Sequence, residues 1–477
     1  MMKKQAFNPY LPSYEYIPDG EPYVFGERLY VYGSHDKFNS EAFCLNNYVC
    51  WSAPIDDLGN WQFEGQIYDR LQDPLNIKGN QYTYAPDVQQ GPDGKFYLFY
   101  ALNRSSVISV AVCDKPVGDF KFYGHIKFPD GHNWGSKIGE VNNFDPGVFI
   151  DEDKKVYLYS GFAPNGWMED MMKARKLKLD GAYCVELESD MLTIKGEPTR
   201  IAPGHRIARG TSFEGHAFYE ANSMRKIKDK YYFIYSSQLG HELCYAVSDN
   251  PKGPFIFGGT IISIADLGFE NNETALNYLG NTHGSILEIK GQLYVFYHRQ
   301  TNGHEYSRQG CADPVKILPD GRLMQVEMTS CGLNGGPLNG NGQYEARIAC
   351  NLSSAEGAVN INLSKKENHP YFTQSGSDRE ENGDQYIANL TKGSWAGYKY
   401  FMFDSESEID VTVRGKGSGF FVVTSERNSN PIAKIEINPT EKWSSFSAPF
   451  SVEKGKRALY FTFEGLGAID FQSFTIR

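Results

Sequence analysis

The stretch KYYFIYSS at residues 230–237 is one of five similar aromatic strands whose spacing determines the fold expected for this chain. The others are RLYVY at 28–32, KFYLFY at 95–100, KVYLYS at 155–160 and QLYVFY at 292–297. The steps between their central tyrosines are 67, 60, 75 and 62 residues, and a turn of charged and glycine residues precedes each strand. Such steps are too long for a solenoid repeat and suit one antiparallel blade with insertions. The repeats therefore predict an all-β fold that begins with a five-bladed β-propeller over residues 1–330.

Each of the five repeats carries a polar residue close to its entrance. Asp19, Asp145 and Glu220 occupy three of these entrances, Asp87 lies in the second repeat and His283 in the fifth. The innermost strands of a propeller converge on its axis, so equivalent entrances of different blades meet around one funnel. The sequence therefore predicts several acids and a histidine in one pocket.

The motifs around these acids resemble those of glycoside hydrolase family 43. The resemblance covers roughly residues 14–325. It rests on Asp19 nine residues before an RLY strand and on three further motifs in the expected order: YAPD at 84–87, FDPGVFID at 144–151 and YEA at 219–221. Where the family more often has Asp-Pro, this chain has Asp-Gly-Glu-Pro at 19–22, which leaves Glu21 as an alternative to Asp19, although the spacing favours Asp19.

The resemblance implies an inverting glycosidase with Asp19 as general base, Glu220 as general acid and Asp145 as the group that orients Glu220 and raises its pKa. Inversion requires two carboxyl groups roughly 6.5–9.5 Å apart, with water between them. An unperturbed glutamic acid is ionised at pH 7, so a nearby anion is needed to keep the proton on the acid.

Each acid also has a simpler explanation. Asp before Pro or Gly commonly starts a turn, which accounts for Asp145 and Asp19 when each is taken alone. Glu220 lies between aromatic and apolar residues, where burial of an acid is costly unless it has a partner or a function. The three acids together, in the family order and in separate repeats, favour the catalytic interpretation.

The resemblance extends to groups around the sugar and to an ion. The residues predicted to bind substrate are His35, Asp36, Tyr84, Asp87 and Arg299. We favour Arg299 over its neighbour His298, because a guanidinium group can donate two hydrogen bonds to vicinal hydroxyls. His283 is implied to support a structural Ca²⁺ in the axial channel, mostly coordinated by water, with a purely structural histidine as the alternative. No organic cofactor is expected, and no HxH, HExxH or CxxC pair indicates another metal site.

Aromatic residues are abundant, and most are expected in the packed faces of the blades. Trp134 and Trp167 lie in glycine-containing insertions, where each either offers a flat face to a sugar or folds onto the rim of the propeller.

The remainder of the chain predicts a second β-structure. A Gly/Asn-rich stretch at 331–343 indicates a linker, and period-two patterning over 344–477 predicts a β-sandwich of the jelly-roll type. Its last strands resemble carbohydrate-binding module family 6, with Trp395 and Trp443 as candidate platforms. The family's usual second tryptophan is Phe446 here, so packing of the sandwich against the propeller is an equal alternative to sugar binding.

Composition excludes some partners. The formal net charge is −11 and the isoelectric point is near 5.5, so neither nucleic acid nor an anionic membrane is expected as a partner, whereas a neutral oligosaccharide or polysaccharide side chain is compatible. No apolar run is long enough to span a bilayer, the first residues lack the apolar core of a signal peptide, and eight scattered cysteines suit a reducing compartment. A cytoplasmic location is therefore the expectation, or a secreted one if a signal has been removed.

Taken together, the sequence predicts an exo-acting inverting glycoside hydrolase that removes terminal pentose or furanose residues from plant-derived oligosaccharides. An α-L-arabinofuranosidase or β-xylosidase is favoured. A β-galactofuranosidase of the same fold and a non-catalytic glycan-binding propeller are the alternatives. The motifs of the retaining fructan and sucrose hydrolases are absent from the sequence.

Overall fold

The computed structural model describes residues 5–380 and 383–477, which are almost entirely β-strand and loop. Nineteen strands from Glu21 to Val315 form five antiparallel sheets, which we number as blades 1 to 5 in chain order. Blades 1 and 2 contain β1 (Glu21–Phe25), β2 (Arg28–Tyr32), β3 (Tyr48–Pro54), β4 (Gln62–Tyr68), β5 (Thr83–Gln90), β6 (Phe96–Leu102), β7 (Ile108–Cys113) and β8 (Lys121–His125).

Blades 3 to 5 repeat this plan. Blade 3 contains β9 (Gly147–Ile150), β10 (Val156–Gly161), β11 (Gly181–Leu187) and β12 (Ile194–Pro203). Blade 4 contains β13 (Phe218–Ile227), β14 (Lys230–Ser237), β15 (Glu242–Ser248) and β16 (Ile256–Ser263). Blade 5 has three strands, β17 (Ser285–Ile289), β18 (Gln292–Thr301) and β19 (His304–Val315). The five-bladed architecture predicted from the repeats is confirmed.

Each of the five aromatic stretches is the second strand of its blade. In β14, Tyr231, Phe233 and Tyr235 pack into an apolar cluster shared with blade 3, whereas Tyr232 and Ile234 pack into one shared with blade 5. Successive side chains of a strand point to opposite faces of the sheet. Both faces of the blade are covered by neighbouring blades, so the strand is apolar along its length rather than alternately polar.

The first strands of the blades line the axis. Contacts between these strands run from β1 to β5, β9, β13, β17 and back to β1, so they form a closed ring. The N-terminal segment completes the join between the first and last blades: the Tyr10 amide donates to the Gly310 carbonyl at 3.2 Å, and the Ala312 amide donates to Asn8 Oδ1 at 2.9 Å. A segment that precedes blade 1 is therefore hydrogen-bonded along β19 of blade 5.

The remaining strands form two six-stranded sheets packed into a β-sandwich. The first contains β20 (Leu338–Asn339), β25 (Trp395–Phe403), β30 (Gly455–Leu466), β27 (Ser418–Thr424) and β28 (Ala433–Ile437), with β22 (Asn351–Ser353) paired to β25. The second contains β23 (Tyr371–Gln374), β24 (Gln385–Leu390), β31 (Ile469–Ile476), β26 (Glu408–Gly415) and β29 (Thr440–Pro449), with β21 (Gly342–Glu345) paired to β31. Phenylalanines from both sheets, including Phe461, Phe471 and Phe474, form the core between them.

Residues 331–343, predicted as a linker, are packed rather than free. Leu333 lies in the core of blades 1 and 5 and Leu338 in the sandwich core, and both are fully buried. Beyond this segment, Lys399 of the sandwich forms ion pairs with Asp266 at 3.3 Å and Glu327 at 2.8 Å. The sandwich is therefore joined to the propeller by buried polar contacts as well as by the chain.

One short α-helix, α1 (Gly166–Met172), follows β10 in the described residues. No helix in the described part of the chain has the length and hydropathy needed to cross a bilayer.

Candidate active site

A cavity of about 870 Å³ opens at one end of the propeller axis, and the entrances of several blades line it. Asp19 reaches it from blade 1, Tyr84 from blade 2, Asp145 from blade 3, Glu220 from blade 4 and His283 from blade 5. The funnel expected from the sequence is therefore present, and it contains the three acids. The volume lies within the range of roughly 300–1,000 Å³ usual for small-molecule sites.

The backbone at these entrances is strained. Asp19 has a φ of 56° and Asp145 a φ of 45°, and Ala85 and Ala221 have φ values of 36° and 70°. The left-handed region is uncommon for residues other than glycine, although Asp tolerates it better than Ala. Strained residues often cluster at functional sites, where the surrounding structure fixes them. Here the strain occurs in blades 1 to 4, at or beside the positions that bring polar side chains to the axis.

Asp19 is held as an anion. Its Oδ1 atom accepts a hydrogen bond from Arg308 NH1 at 3.0 Å. Burial alone would raise the pKa of Asp19, but the positive charge of Arg308 is the largest opposing influence and the pKa lies below its usual value. Arg308 is itself fixed by Asp36, which accepts from its Nε at 2.9 Å and its NH2 at 3.0 Å. An ionised, oriented carboxylate of this kind suits a general base.

Glu220 and Asp145 lie in an environment that raises their pKa values, in contrast to Asp19. Glu220 is half-buried, and burial together with the charges of Asp19 and Glu305 raises its pKa to about 8. Burial and Glu220 also raise the pKa of Asp145, but Asp145 Oδ2 accepts a hydrogen bond from the Ala221 amide at 3.1 Å. None of the described residues donates a hydrogen bond to the Glu220 carboxyl. We therefore assign the proton shared by this pair to Glu220, because the amide favours the charged form of Asp145.

Two histidines lie beside these acids. His283 Nδ1 is 3.6 Å from Asp145 Oδ2 and 3.9 Å from Asp19 Oδ1. His298 Nδ1 accepts from the Asp19 amide at 3.3 Å, and its Nε2 is buried without a protein partner among the described residues. Burial lowers the pKa of His283 to about 4 and that of His298 to about 3. Both rings are therefore neutral at pH 7 and each keeps a nitrogen lone pair.

The prediction that Arg299 binds substrate is wrong. Arg299 is 1% exposed, and it donates to the carbonyls of Ala349 at 2.6 Å and Arg347 at 2.7 Å. Its guanidinium lies 3.8 Å from the centroid of the Phe372 ring. All three partners belong to the sandwich side of the chain, so Arg299 joins the sandwich to the propeller. Arg308, on the neighbouring strand β19, does line the cavity, as do Arg104 and Arg175.

Three further substrate-binding predictions are wrong for a similar reason, because the side chains are buried away from the cavity. His35 bonds the Asn47 carbonyl at 2.7 Å and lies 2.9 Å from Arg379 of the sandwich. Both carboxylate oxygens of Asp36 accept hydrogen bonds from the protein, Oδ1 from the Cys44 amide and Oδ2 from Arg308 Nε. Asp87 accepts from the Tyr23 hydroxyl and the Val148 amide, both at 2.6 Å.

Glu21, the alternative base, also lies outside the cavity. Its Oε2 atom pairs with Arg225 NH2 at 2.7 Å, and burial raises its pKa to about 8. The lining of the cavity therefore supports Asp19 over Glu21.

Of the aromatic residues considered as sugar contacts in the propeller, Tyr84 and Trp167 line the cavity and Trp134 does not. Tyr84 lines the cavity with Phe43 and Phe144, whose rings meet it edge-on. Trp167 on α1 also lines it and is 73% exposed. Trp134 is 1% exposed and packs in the core between blades 2 and 3, so it offers no face to a ligand.

Neither aromatic candidate in the sandwich has a free face like that of Trp167. The Arg427 guanidinium lies 3.9 Å from the centroid of Trp395, and Arg414 lies 4.2 Å from that of Trp443. An arginine on a ring competes with a sugar for that face. This arrangement favours packing and interface roles for these residues over a carbohydrate-binding platform.

Several cavity residues were not identified from the sequence: Arg308, Glu305, Asn360, Asn362 and the methionines of α1. Arg308 lies on the third strand of blade 5, outside the motifs that carry the family resemblance. Asn360 and Asn362 lie beyond the predicted end of the propeller. The strand pattern of β19 could have identified Arg308, whereas nothing in the sequence indicates that residues near 360 return to the axis.

Residues 16–323 match the family described as Glycosyl hydrolases family 43. A xylosidase/arabinosidase of Thermoclostridium stercorarium is 49% identical to this chain over 481 aligned residues, covering 100% of this chain and 99% of that protein. The similarity therefore includes the sandwich.

Solved structures show the same fold. An arabinoxylan arabinofuranohydrolase of Bacillus subtilis, solved in complex with cellotetraose, is 20% identical to this chain. Its TM-score is 0.52, and the alignment covers 99% of this chain and 99% of that one. A β-xylosidase/α-arabinofuranosidase from a compost microbial metagenome, solved with xylotriose in a calcium-free form, is 24% identical with a TM-score of 0.52, covering 68% of this chain and 98% of that one.

Proposed function

This chain belongs to glycosyl hydrolase family 43, and from that premise we propose that it removes terminal xylose or arabinofuranose from plant-derived oligosaccharides by an inverting mechanism. Asp19 is the general base, Glu220 the general acid and Asp145 the group that keeps the proton on Glu220. The observation that carries these roles is that Asp19 and Glu220 line one cavity with different partners: Arg308 NH1 donates to Asp19 Oδ1 at 3.0 Å, whereas none of the described residues donates to the Glu220 carboxyl.

In this mechanism Asp19 accepts a proton from the water that attacks the anomeric carbon. Glu220 donates its proton to the departing glycosidic oxygen, so the aglycone leaves as a neutral alcohol. Arg308 keeps Asp19 ionised before the reaction, and Asp145 keeps Glu220 protonated. Because one carboxyl group is ionised and the other is protonated, the pair can perform base and acid catalysis at the same pH.

The bounded cavity supports exo action. Its lining includes residues of α1 and of the segment near 360 as well as the acids, and we infer from these added walls a pocket rather than an open groove. A pocket favours a chain end or a side-branch sugar over the middle of a polymer.

The general acid can be tested through the leaving group. Glu220→Gln should reduce kcat by ~10²–10⁴-fold on xylobiose, whose departing alcohol needs a proton, and much less on an aryl xyloside with an acidic phenol. Glu21→Gln is the matched control and should retain kcat on both. Equal losses on the two substrates, or a loss only in the control, would contradict the assignment. Proton NMR of the first-formed anomer tests inversion, and arabinofuranoside and galactofuranoside substrates identify the glycone.

We also propose that the axial channel holds a hydrated Ca²⁺ at His283. The residues fit such an ion, because the His283 ring is neutral and the carboxylates of Asp19 and Asp145 lie within 4 Å of it. Water would supply most of the ligands, since Ca²⁺ prefers oxygen. The bound ion would supply positive charge beside the two carboxylates.

The ion can be tested by chelation. Removal of Ca²⁺ should lower the melting temperature of the wild type, and restored Ca²⁺ should reverse the change. His283→Ala should abolish that dependence. If neither removal nor restoration of Ca²⁺ changes the melting temperature of the wild type, the site is ruled out.

A further inference from the structure

We infer that blade 4 contains a zinc site formed by His216, Glu242 and Cys244, with a water molecule as the fourth ligand. The three residues lie outside the lining of the active-site cavity. The site is also separate from the Ca²⁺ proposed at His283, because a thiolate and an imidazole suit Zn²⁺, whereas Ca²⁺ prefers oxygen.

The fold of blade 4 brings these side chains together from two parts of the chain. Glu242 and Cys244 are two residues apart on β15, and alternate side chains of a strand point to the same face of the sheet. His216 precedes β13, and its carbonyl accepts from the Tyr235 hydroxyl at 2.7 Å. Its ring stacks on that of Phe257, with the ring centroids 4.8 Å apart. The imidazole is therefore held beside the carboxylate and the thiol.

The donor atoms converge on one carboxylate oxygen. His216 Nδ1 is 2.6 Å from Glu242 Oε1, Cys244 Sγ is 3.3 Å from the same oxygen, and the three ligand atoms lie within 4.8 Å of one another. Tetrahedral Zn²⁺ keeps nitrogen, oxygen and sulfur ligands roughly 3.4–3.6 Å apart. The ion therefore fits after small shifts of the side chains. On binding it displaces the thiol proton, and the imidazole keeps its proton on Nε2.

Two hydroxyl groups orient the carboxylate of Glu242. Ser237 Oγ donates to Oε1 at 2.6 Å, and Thr260 Oγ1 donates to Oε2 at 2.8 Å. Hydrogen bonds of this kind fix the orientation of a metal ligand and support its affinity for the ion. Both can persist when the ion binds, because a carboxylate has about four lone-pair sites.

The buried charge of Glu242 has no permanent partner. Its side chain is 5% exposed, and His216 is the only one of the described residues that forms an ion pair with it. Burial alone would raise the pKa of Glu242, but the hydrogen bond from His216 is the largest opposing influence and lowers that pKa to about 2. Buried charges in proteins are paired or coordinate a metal. His216 supplies a positive charge only when it is protonated, whereas bound Zn²⁺ would supply one at neutral pH as well.

The site is open to solvent at His216. The His216 side chain is 35% exposed, whereas Glu242 and Cys244 are buried. A divalent ion, and the water that completes its coordination, can therefore approach from this side. Three protein ligands and one water form an arrangement that zinc adopts in proteins.

The experiment uses the full-length protein, freed of metal with a chelator and titrated with Zn²⁺ by isothermal calorimetry. Excess Ca²⁺ is present to occupy the site proposed at His283. We expect one Zn²⁺ to bind per chain. His216→Gln keeps a hydrogen-bond donor for Glu242 but removes the metal ligand, so it should weaken binding on the order of a hundredfold, as should Cys244→Ser. Co²⁺ should give the wild type a thiolate-to-cobalt charge-transfer absorption that Cys244→Ser lacks.

His132→Ala is the matched control, because His132 Nε2 likewise lies 2.8 Å from a carboxylate oxygen, that of Glu140, elsewhere in the propeller. It should bind Zn²⁺ as the wild type does. A wild type that binds no Zn²⁺ would show a hydrogen-bonded network only and would overturn the inference. Equal affinities in the wild type and His216→Gln would also overturn it. Because His216 is partly exposed, this variant keeps the test decisive even if Cys244→Ser fails to fold.

Discussion

Two clusters near the propeller axis each combine carboxylic acids with an arginine, and they differ in their access to the cavity. The catalytic cluster, Asp19, Asp145, Glu220 and Arg308, opens into the cavity. The axial cluster, Glu21, Asp87 and Arg225, contributes no side chain to it. Both contain a carboxylic acid whose pKa is raised to about 8, Glu220 in one and Glu21 in the other. A raised pKa therefore does not identify a catalyst by itself; the two clusters are separated by access to the cavity that Asp19, Asp145 and Glu220 line together.

The largest contrast is expected from equivalent substitutions in the two clusters. Asp19→Asn should reduce kcat by ~10³–10⁴-fold, because the attacking water loses its general base. Asp87→Asn should leave kcat per folded molecule unchanged while it weakens the bonds from Tyr23 and Val148 and lowers stability by about 1–3 kcal/mol. Active-site-normalised kinetics and urea unfolding measure the two effects. If Asp19→Asn and Asp87→Asn lose kcat to a similar extent, the catalytic and axial clusters do not differ in function as proposed.

A smaller effect is expected from the arginines. Arg308→Met should reduce kcat/KM on the order of a hundredfold through misplacement of Asp19. It should also move the acidic limb of the pH profile upward, because Arg308 holds the pKa of Asp19 down and its removal lets that pKa rise.

The matched variant Arg225→Met should destabilise the protein by about 3–5 kcal/mol, because it leaves Glu21 and Asp87 buried without a cation, and should not move either limb. If the acidic limb moves in Arg225→Met instead, Glu21 is the base.

The smallest effect concerns the alkaline limb. Activity should fall as pH rises through the pKa of Glu220, near 8, because the general acid loses its proton there. Glu305→Gln removes a negative charge that raises this pKa, so the alkaline limb should move to lower pH while the acidic limb remains in place. Profiles of kcat/KM against pH for the two proteins decide the matter. A shift to higher pH would mean that Glu305 acts other than through its charge.

The sequence predicted the propeller and the three acids of the cavity because both depend on local patterns. The tyrosine strands recur at blade intervals, and Asp19, Asp145 and Glu220 occur in motifs at the entrances. The pattern could not distinguish Arg299 from Arg308. The two residues lie on paired strands, and which of them reaches the axis depends on where the sandwich docks. Phe372 and the carbonyls of Arg347 and Ala349 bind Arg299, and these partners are distant in sequence.

The same limit applies to His35, Asp36 and Asp87. Each follows a marker strand or lies in a motif, as a substrate-binding residue would, but each is buried against other protein groups. Sequence proximity to a motif places a residue near the funnel without indicating whether its side chain faces the cavity or the packed interior.

The segment at residues 8–10 has a consequence for biosynthesis. It precedes all five blades in the chain, yet its hydrogen-bond partners at Gly310, Ala312 and Ser330 follow some three hundred residues later. Until then blades 1 and 5 have no joined boundary, and the strand edges there are open to other chains. A nascent chain that has not been extended past Ser330 lacks these partners, so translational pausing before that residue should favour aggregation over folding.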